Sequence, residues 1–367
     1  MEELKQLLNN NSQSTRIVVF FVSLIAGLLM SILPTLGISK IVPEWNLLNS
    51  QLMVNSLPEK KDPLENVYQK LEQKKNNYTL QKSSYSILNS AVASENEYNQ
   101  SKSFALIDFE SGEIIDEKNL SEKIPIASLT KIMTAVVTLD LASPSDRVTI
   151  TKTAAEIEPT KIGVVEGQKM KIEELLKAIL LTSANDAAEA LKEGINAQYG
   201  NEIFIKSMNA KAKAIGLENT SFTNPQGFDA NNHFSTAEDL AILAHYAVNN
   251  YPLIAEYAKL EYAFLPEDEN HKQFDLYNWN GLLGVYPGVT GLKIGNTDAA
   301  GKTTIVIAER EQKKILVVLL GAPSILERDL WASMLLDSGF EKKYGFTPIN
   351  VTEEQLKTKY KTWKYWE

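Results

Sequence analysis

IPIASLTKIMTA, residues 124–135, is the stretch on which the reading of this chain turns. From Pro125 to Ala142 the apolar residues Ile126, Leu129, Ile132, Met133, Val136, Val137 and Leu139 recur at helical spacing, with Pro125 suited to a first turn. Ser128 and Lys131 stand three residues apart, so a helix brings hydroxyl and ammonium to one face within reach of each other. A helix N-terminus favours the negative charge that a reacting serine develops. A neighbouring amine of depressed pKa can accept the serine proton, the task a histidine performs in a triad. The tetrad alone carries little weight, because a chain of this size holds roughly one or two such strings by chance. Its setting carries more. An apolar helix normally excludes lysine from its inner face, and this is the only Ser-x-x-Lys in the chain.

Outward from this helix the elements change type. Upstream, SFALIDF (103–109), the turn pair Ser111-Gly112 and EIIDEKN (113–119) predict a β-hairpin. Downstream, helices are predicted over 172–181, 186–197, 203–215 and 236–248, the last opening on Ser235-Thr-Ala-Glu238, a capping box. TTIVIAE (303–309) and KILVVLLG (314–321) flank a turn at 310–313 and predict a second hairpin, followed by a helix over 326–338. Strands first, helices in the middle and strands again define an α+β fold, an antiparallel sheet drawn from both ends of the domain. No βαβ series and no GxGxxG is present, which argues against a nucleotide-binding fold.

Two further segments carry candidate chemistry. Ser183-Ala-Asn185, within LLTSANDAAEAL (180–191), forms a tight turn between two helices. Taken alone, its bland reading is a helix cap. Its functional reading has Ser183 relaying protons and Asn185 offering its amide to a substrate carbonyl. Lys293-Ile-Gly295, within GVTGLKIGNTDAAG (288–301), reads as a strand in which Gly295 lets another backbone approach. An edge-strand lysine that discourages aggregation is the simpler alternative.

Composition removes other classes. The 367 residues carry 37 Lys plus Arg against 46 Asp plus Glu, a formal charge of −9, with no basic run to track a phosphate backbone, so nucleic acid is not an expected partner. Without cysteine there is no disulfide, thiolate zinc site or thiol nucleophile. The three histidines, His233, His245 and His271, show no ligand spacing, and no metal site is expected. Residues 17–39, IVVFFVSLIAGLLMSILPTLGIS, contain no charge and are long enough to cross a bilayer. They are read as a transmembrane signal-anchor behind a cytoplasmic tail (1–16), because no A-x-A-like cleavage site follows the run. A polar stalk over 40–97, a catalytic domain over 98–345 and an aromatic-basic tail over 346–367 complete the expected organisation, with the domain outside the cell membrane.

Taken together, Ser-x-x-Lys, Ser-x-Asn and Lys-x-Gly in this order resemble the penicillin-binding, β-lactamase-like serine acyltransferases. The text around them, ASLTKIMTA, SANDAAEAL, MNAKAKAIGLENTSFTNPQGFD, HFSTAEDLAILA, GLKIGNTDAAG and LLGAPS, is similar to the D-alanyl-D-alanine carboxypeptidases of peptidase family S11, over about residues 101–340. The resemblance implies an antiparallel sheet flanked by helices with a helical subdomain. It implies that Ser128 forms an acyl-enzyme with a peptidoglycan stem peptide, expelling terminal D-Ala, and that β-lactam antibiotics inhibit it. Motif by motif, it makes Lys131 the base, Ser183 a proton relay, and Asn185, Lys293, Ile294, Gly295, Asn296 and Thr297 the substrate-binding set. The backbone N–H groups of Ser128 and Asn296 would form the oxyanion hole, and no cofactor is implied. One departure stands out: Ile294 occupies a position where the family usually has Thr, whose hydroxyl helps bind the substrate carboxylate. Loss of such a bond is worth roughly 1.5–3 kcal/mol, for which Thr297 or Arg328 are the candidate substitutes. The alternatives are a weakened wall-binding relative, an endopeptidase cutting D,D crosslinks, or a β-lactamase, for which no Glu-x-x-x-Asn loop is found between Asn185 and Lys293.

Overall fold

The computed structural model describes residues 63–82 and 96–364. The apolar run at 17–39, with the rest of 1–62, lies outside the described residues; among those described, no helix is long and apolar enough to cross a membrane.

The alternating and β-branched segments form one six-stranded sheet. Its strands are β1 (Gln81–Lys82), β2 (Ser103–Asp108), β3 (Glu113–Lys118), β8 (Val289–Thr297), β9 (Gly301–Arg310) and β10 (Lys313–Ala322), in the order β1-β3-β2-β10-β9-β8. Both predicted hairpins are present, and β10 joins them by pairing with β2 and β9 at once. The sheet is mixed rather than wholly antiparallel, because β1 runs parallel to β3. This puts β8, with the Lys293 segment, at an edge, where one side of its backbone stays open to a ligand.

Helices cover both faces. On one lies α9 (Ile325–Tyr344), whose Trp331, Leu335, Leu336 and Phe340 bury against Phe104, Leu106, Val317 and Leu319. The other carries α7 (Ala237–Asn250) and α8 (Pro252–Ala258). Beyond them is a helical subdomain of α2 (Lys131–Leu141), α4 (Ile172–Leu181), α5 (Asn185–Tyr199) and α6 (Ile203–Ala214), continuous with that face's core. Short β4 (Arg147–Thr149) and β5 (Lys169–Lys171) pair with each other, α3 (Lys152–Glu156) lies between them, and β6 (Tyr262–Leu265) pairs with β7 (Phe274–Tyr277). Helix α7 is capped by Thr236, which accepts from Asp239 N, one residue later than the predicted box. Ser235 instead bonds Thr220.

The two ends of the described domain correct the expected organisation. Residues 63–82, read as stalk, belong to the fold. α1 (Pro63–Leu71) buries Val67 and Leu71, four residues apart, and Gln81–Lys82 extend the sheet. Lys70 Nζ donates to Tyr199 Oη at 2.8 Å and Lys74 Nζ to the Asn250 carbonyl at 2.8 Å. Lys211, fully buried, pairs with Asp140 at 2.7 Å and donates to the Leu71 carbonyl, tying the strap to the subdomain. The sequence reading missed this because two apolar residues make too short a stripe to register as periodicity. Likewise the tail folds back. α10 (Glu353–Tyr360) opens on a Thr352/Gln355 capping box, buries Leu356, and sends Tyr360 Oη to Asp329 at 2.9 Å.

Candidate active site

Ser128 lies in a 3₁₀ turn, Ala127–Thr130, and α2 begins only at Lys131, so the nucleophile candidate precedes the α-helix that was expected to contain it. In a 3₁₀ turn residues i and i+3 eclipse. This sets Lys131 Nζ 2.9 Å from Ser128 Oγ, with Ser128 partly exposed and Lys131 fully buried.

The surroundings of Lys131 define its chemical state. Nζ donates to Asn185 Oδ1 and to the Gln226 carbonyl, each at 2.7 Å. Asn185 Nδ2 in turn donates to the Pro159 carbonyl, which fixes the amide orientation, since a flip would set donor against donor and acceptor against acceptor. Burial, chiefly, holds the Lys131 pKa well below the usual lysine value; the nearby Lys293 charge adds to this and Asp186 opposes it. A neutral amine has two hydrogens and one lone pair. Asn185 Oδ1 and the Gln226 carbonyl can only accept, so they take both hydrogens, and the lone pair faces Ser128 Oγ. In its neutral form the amine can therefore serve as a base toward the hydroxyl.

The Ser183–Asn185 turn is no ordinary cap. Residue 184 is the N-cap of α5 and makes no side-chain cap bond, while Asn185 turns inward to Lys131. Ser183 takes a left-handed backbone conformation (φ 59°) beside it and is almost buried, but makes no side-chain hydrogen bond to Ser128 or Lys131. Asp186, next in sequence, accepts backbone N–H bonds from Ile162, Gly163 and Val164, holding the loop after α3 against this turn. Burial raises its pKa, opposed by those same bonds.

The third segment arrives on β8. Gly295 packs on the nucleophile turn: a Cβ there would lie 2.9 Å from Ser128 N and 2.5 Å from Thr303 Oγ1. Alternation along the strand puts Lys293 on the same face as Gly295. Lys293 is buried, donates to the Ile294 carbonyl at 2.9 Å, and has its pKa pulled down to about 7, by burial first and by Arg328 second. Ile294, 5% exposed, points to the opposite face from Gly295, in a row with Thr304 and Leu319. Thr297 donates its hydroxyl proton to Asp229 at 2.7 Å, which also accepts from Ala299 N, so it is not a free donor for a carboxylate. Asn296 is exposed and accepts from Lys302 at 2.5 Å. Arg328 is buried, chelated by Asp329 (2.7 and 2.9 Å), and its Nη1 has no hydrogen-bond partner among the described residues.

Among the sequence candidates, Ser128, Lys131, Asn185 and Gly295 are thus brought together, with Lys293 close enough for its charge to act on Lys131. The sequence reading did not pick out Gln226, whose contribution is a backbone carbonyl and so leaves no side-chain signature. It also passed over Glu189, whose carboxylate accepts from Gln226 Nε2 at 2.6 Å and secures that loop.

Fold and site define a serine acyl-transfer enzyme with a buried lysine beside its serine. Comparison with known proteins specifies the family. Residues 89–324 match the family profile of the D-alanyl-D-alanine carboxypeptidases, peptidase family S11. The chain is 34% identical over 268 residues to the D-alanyl-D-alanine carboxypeptidase DacF of Bacillus subtilis, covering 71% of this chain and 68% of that protein. To DacC of Escherichia coli it is 33% identical over 261 residues, covering 68% of this chain and 63% of the relative. In structure it resembles penicillin-binding protein D2 of Listeria monocytogenes, solved in its ampicillin-bound form, with a TM-score of 0.56 and 29% identity over 67% of this chain and all of that one. The chain belongs to the D-alanyl-D-alanine carboxypeptidase family, serine-type peptidases of the penicillin-binding kind.

Proposed function

We propose that this chain removes the terminal D-Ala from peptidoglycan stem peptides through an acyl-enzyme on Ser128. Ser128 Oγ attacks the carbonyl carbon of the penultimate D-Ala while its proton passes to Lys131 Nζ. The developing oxyanion lies against the N–H groups of Ser128 and Asn296, at the junction of the 3₁₀ turn and the open edge of β8. As the C–N bond breaks, the departing D-Ala amine takes a proton through Ser183 and Lys131. Water, deprotonated by the Lys131 amine, then attacks the ester, and Lys131 returns that proton to Ser128 Oγ as the product acid leaves. Asn185 keeps one N–H beyond its bond to Pro159 for the substrate amide. Lys293, with the buried Arg328 charge behind it, supplies the positive field for the substrate carboxylate. That pair, and the direction in which Ile294 points, support an active enzyme over a wall-binding relative.

The observation that carries this reading is the Lys131 environment: two acceptor-only partners at 2.7 Å, and Ser128 Oγ at 2.9 Å in the remaining direction. We place the domain outside the cell membrane, anchored by residues 17–39; the uncharged run and the extracytoplasmic substrate support this. The test is incubation of the purified chain with a pentapeptide ending in D-Ala-D-Ala. Released D-Ala supports the proposal; a chain that binds the peptide and releases none refutes it.

A further inference from the structure

We infer that His233, acting through Thr130, is a positioning residue for the peptide unit Ala127–Ser128, and so for the Ser128 N–H that faces the oxyanion. The inference rests on the proposed roles of Ser128 and its backbone N–H.

Ala127 sits at φ 50°, a left-handed conformation that alanine rarely adopts without support from its surroundings. The support is a directed chain of hydrogen bonds. Thr223 N is 3.1 Å from His233 Nδ1, and a backbone N–H can only donate, so Nδ1 carries the lone pair. In the neutral ring the proton is therefore on Nε2. Nε2 is 2.7 Å from Thr130 Oγ1 and donates to it. Thr130 then directs its own proton to the Ala127 carbonyl, 2.9 Å away. Each donor in this series has one acceptor, and no alternative direction satisfies Nδ1. His233, Thr130 and Ala127 are all buried, so water does not compete for these bonds. Burial, chiefly, also takes the His233 pKa down to about 4, with Lys131 adding to the shift and Asp229 opposing it, so the ring is neutral at physiological pH.

A trans peptide is rigid and planar, with its C=O and N–H pointing in opposite directions. Holding the Ala127 oxygen therefore holds the Ser128 N–H. The loop that carries His233 acts on the same peptide a second time. Gly227 lies so close that a Cβ would stand 1.9 Å from the Ala127 oxygen, which closes that side to rotation. Nothing else in the mechanism employs the imidazole.

The test compares acylation of three variants by a fluorescent penicillin, with the rate constant separated from the binding constant and each preparation normalised to its folded fraction by thermal melt. Thr130→Val keeps the shape of the side chain and removes the hydroxyl; Thr130→Ser restores it; His233→Ala removes the upstream donor. Loss of one oxyanion-hole donor lowers rates about 100- to 1000-fold. Misdirecting one should lower the acylation rate constant about 10- to 100-fold in Thr130→Val, with the binding constant little changed and Thr130→Ser within about threefold of the parent. If His233→Ala folds, it should match Thr130→Val. Should it not fold, the valine–serine comparison still decides. An unchanged rate constant in Thr130→Val, or an equal defect in Thr130→Ser, would overturn the inference. If Ser128→Ala still labelled, the failure would lie instead with the proposed nucleophile.

Discussion

Asn185→Asp is an almost isosteric exchange that places a carboxylate where a neutral amide now accepts from Lys131 Nζ at 2.7 Å. At that separation, with an effective dielectric of about 20, the Coulomb attraction is roughly 6 kcal/mol, an upper bound before the new carboxylate's own burial is deducted. Opposite charges at such range shift a pKa by about 1–3 units. The ammonium form of Lys131 gains, so its depressed pKa rises again. Acylation needs the neutral amine, and the rate therefore increases with pH through this pKa. The variant should displace that limb upward by about 1–3 pH units and slow acylation about 10- to 1000-fold at a pH on the limb. Raising the pH by the same interval should restore the rate. The assay is fluorescent-penicillin acylation measured from pH 5 to 10, with a thermal melt as a check on folding. A defect that is the same at every pH, or a limb that stays in place, would refute the assignment of Lys131 as a neutral base.

Lys293→Gln removes a positive charge that helps to lower the Lys131 pKa, so the acid limb of acylation should again move up in pH. In the parent, KM for a D-Ala-D-Ala peptide should rise as the pH passes about 7, where Lys293 loses its proton, and that rise should vanish in the variant. Ile294→Thr should leave kcat/KM within about threefold, since the side chain points away from the nucleophile turn; burying a hydroxyl in place of an ethyl should cost about 1–2 kcal/mol in a denaturant melt. A tenfold gain in kcat/KM would show that position 294 does reach the carboxylate. Lys211→Met strands the buried Asp140 carboxylate and should destabilise the domain by about 3–5 kcal/mol. Adding Asp140→Leu should recover most of that loss, and a single variant that melts like the parent would contradict the strap reading.

The reactive centre was legible in the sequence because its side chains lie in short motifs whose spacing survives folding. Ser128 and Lys131 come to one face whether the turn between them is α or 3₁₀, and Lys293 and Gly295 share a face because a strand alternates. The helix over 172–181 has its predicted bounds because its apolar face is long and its first turn acidic. What escaped depends on contacts remote in sequence. Gln226 contributes a main-chain carbonyl, His233 acts from 103 residues away, and the strap at 63–82 is committed to the domain by Lys211 and Asp140 rather than by a pattern of its own. The tail at 346–364 likewise looked aromatic and basic, and contacts remote in sequence, among them the burial of Val351 and Leu356 and the Tyr360–Asp329 bond, reveal that it packs. The direction of Ile294 needed the strand register, which no single-strand pattern supplies.

The central claim is that Ser128 forms the covalent acyl-enzyme, and mass mapping of the chain after brief exposure to benzylpenicillin tests it most directly. The account predicts one added penicilloyl group, with the whole mass of the antibiotic, on the peptide containing Ser128. A modification on any other residue, or an unmodified chain at saturating antibiotic, would contradict it.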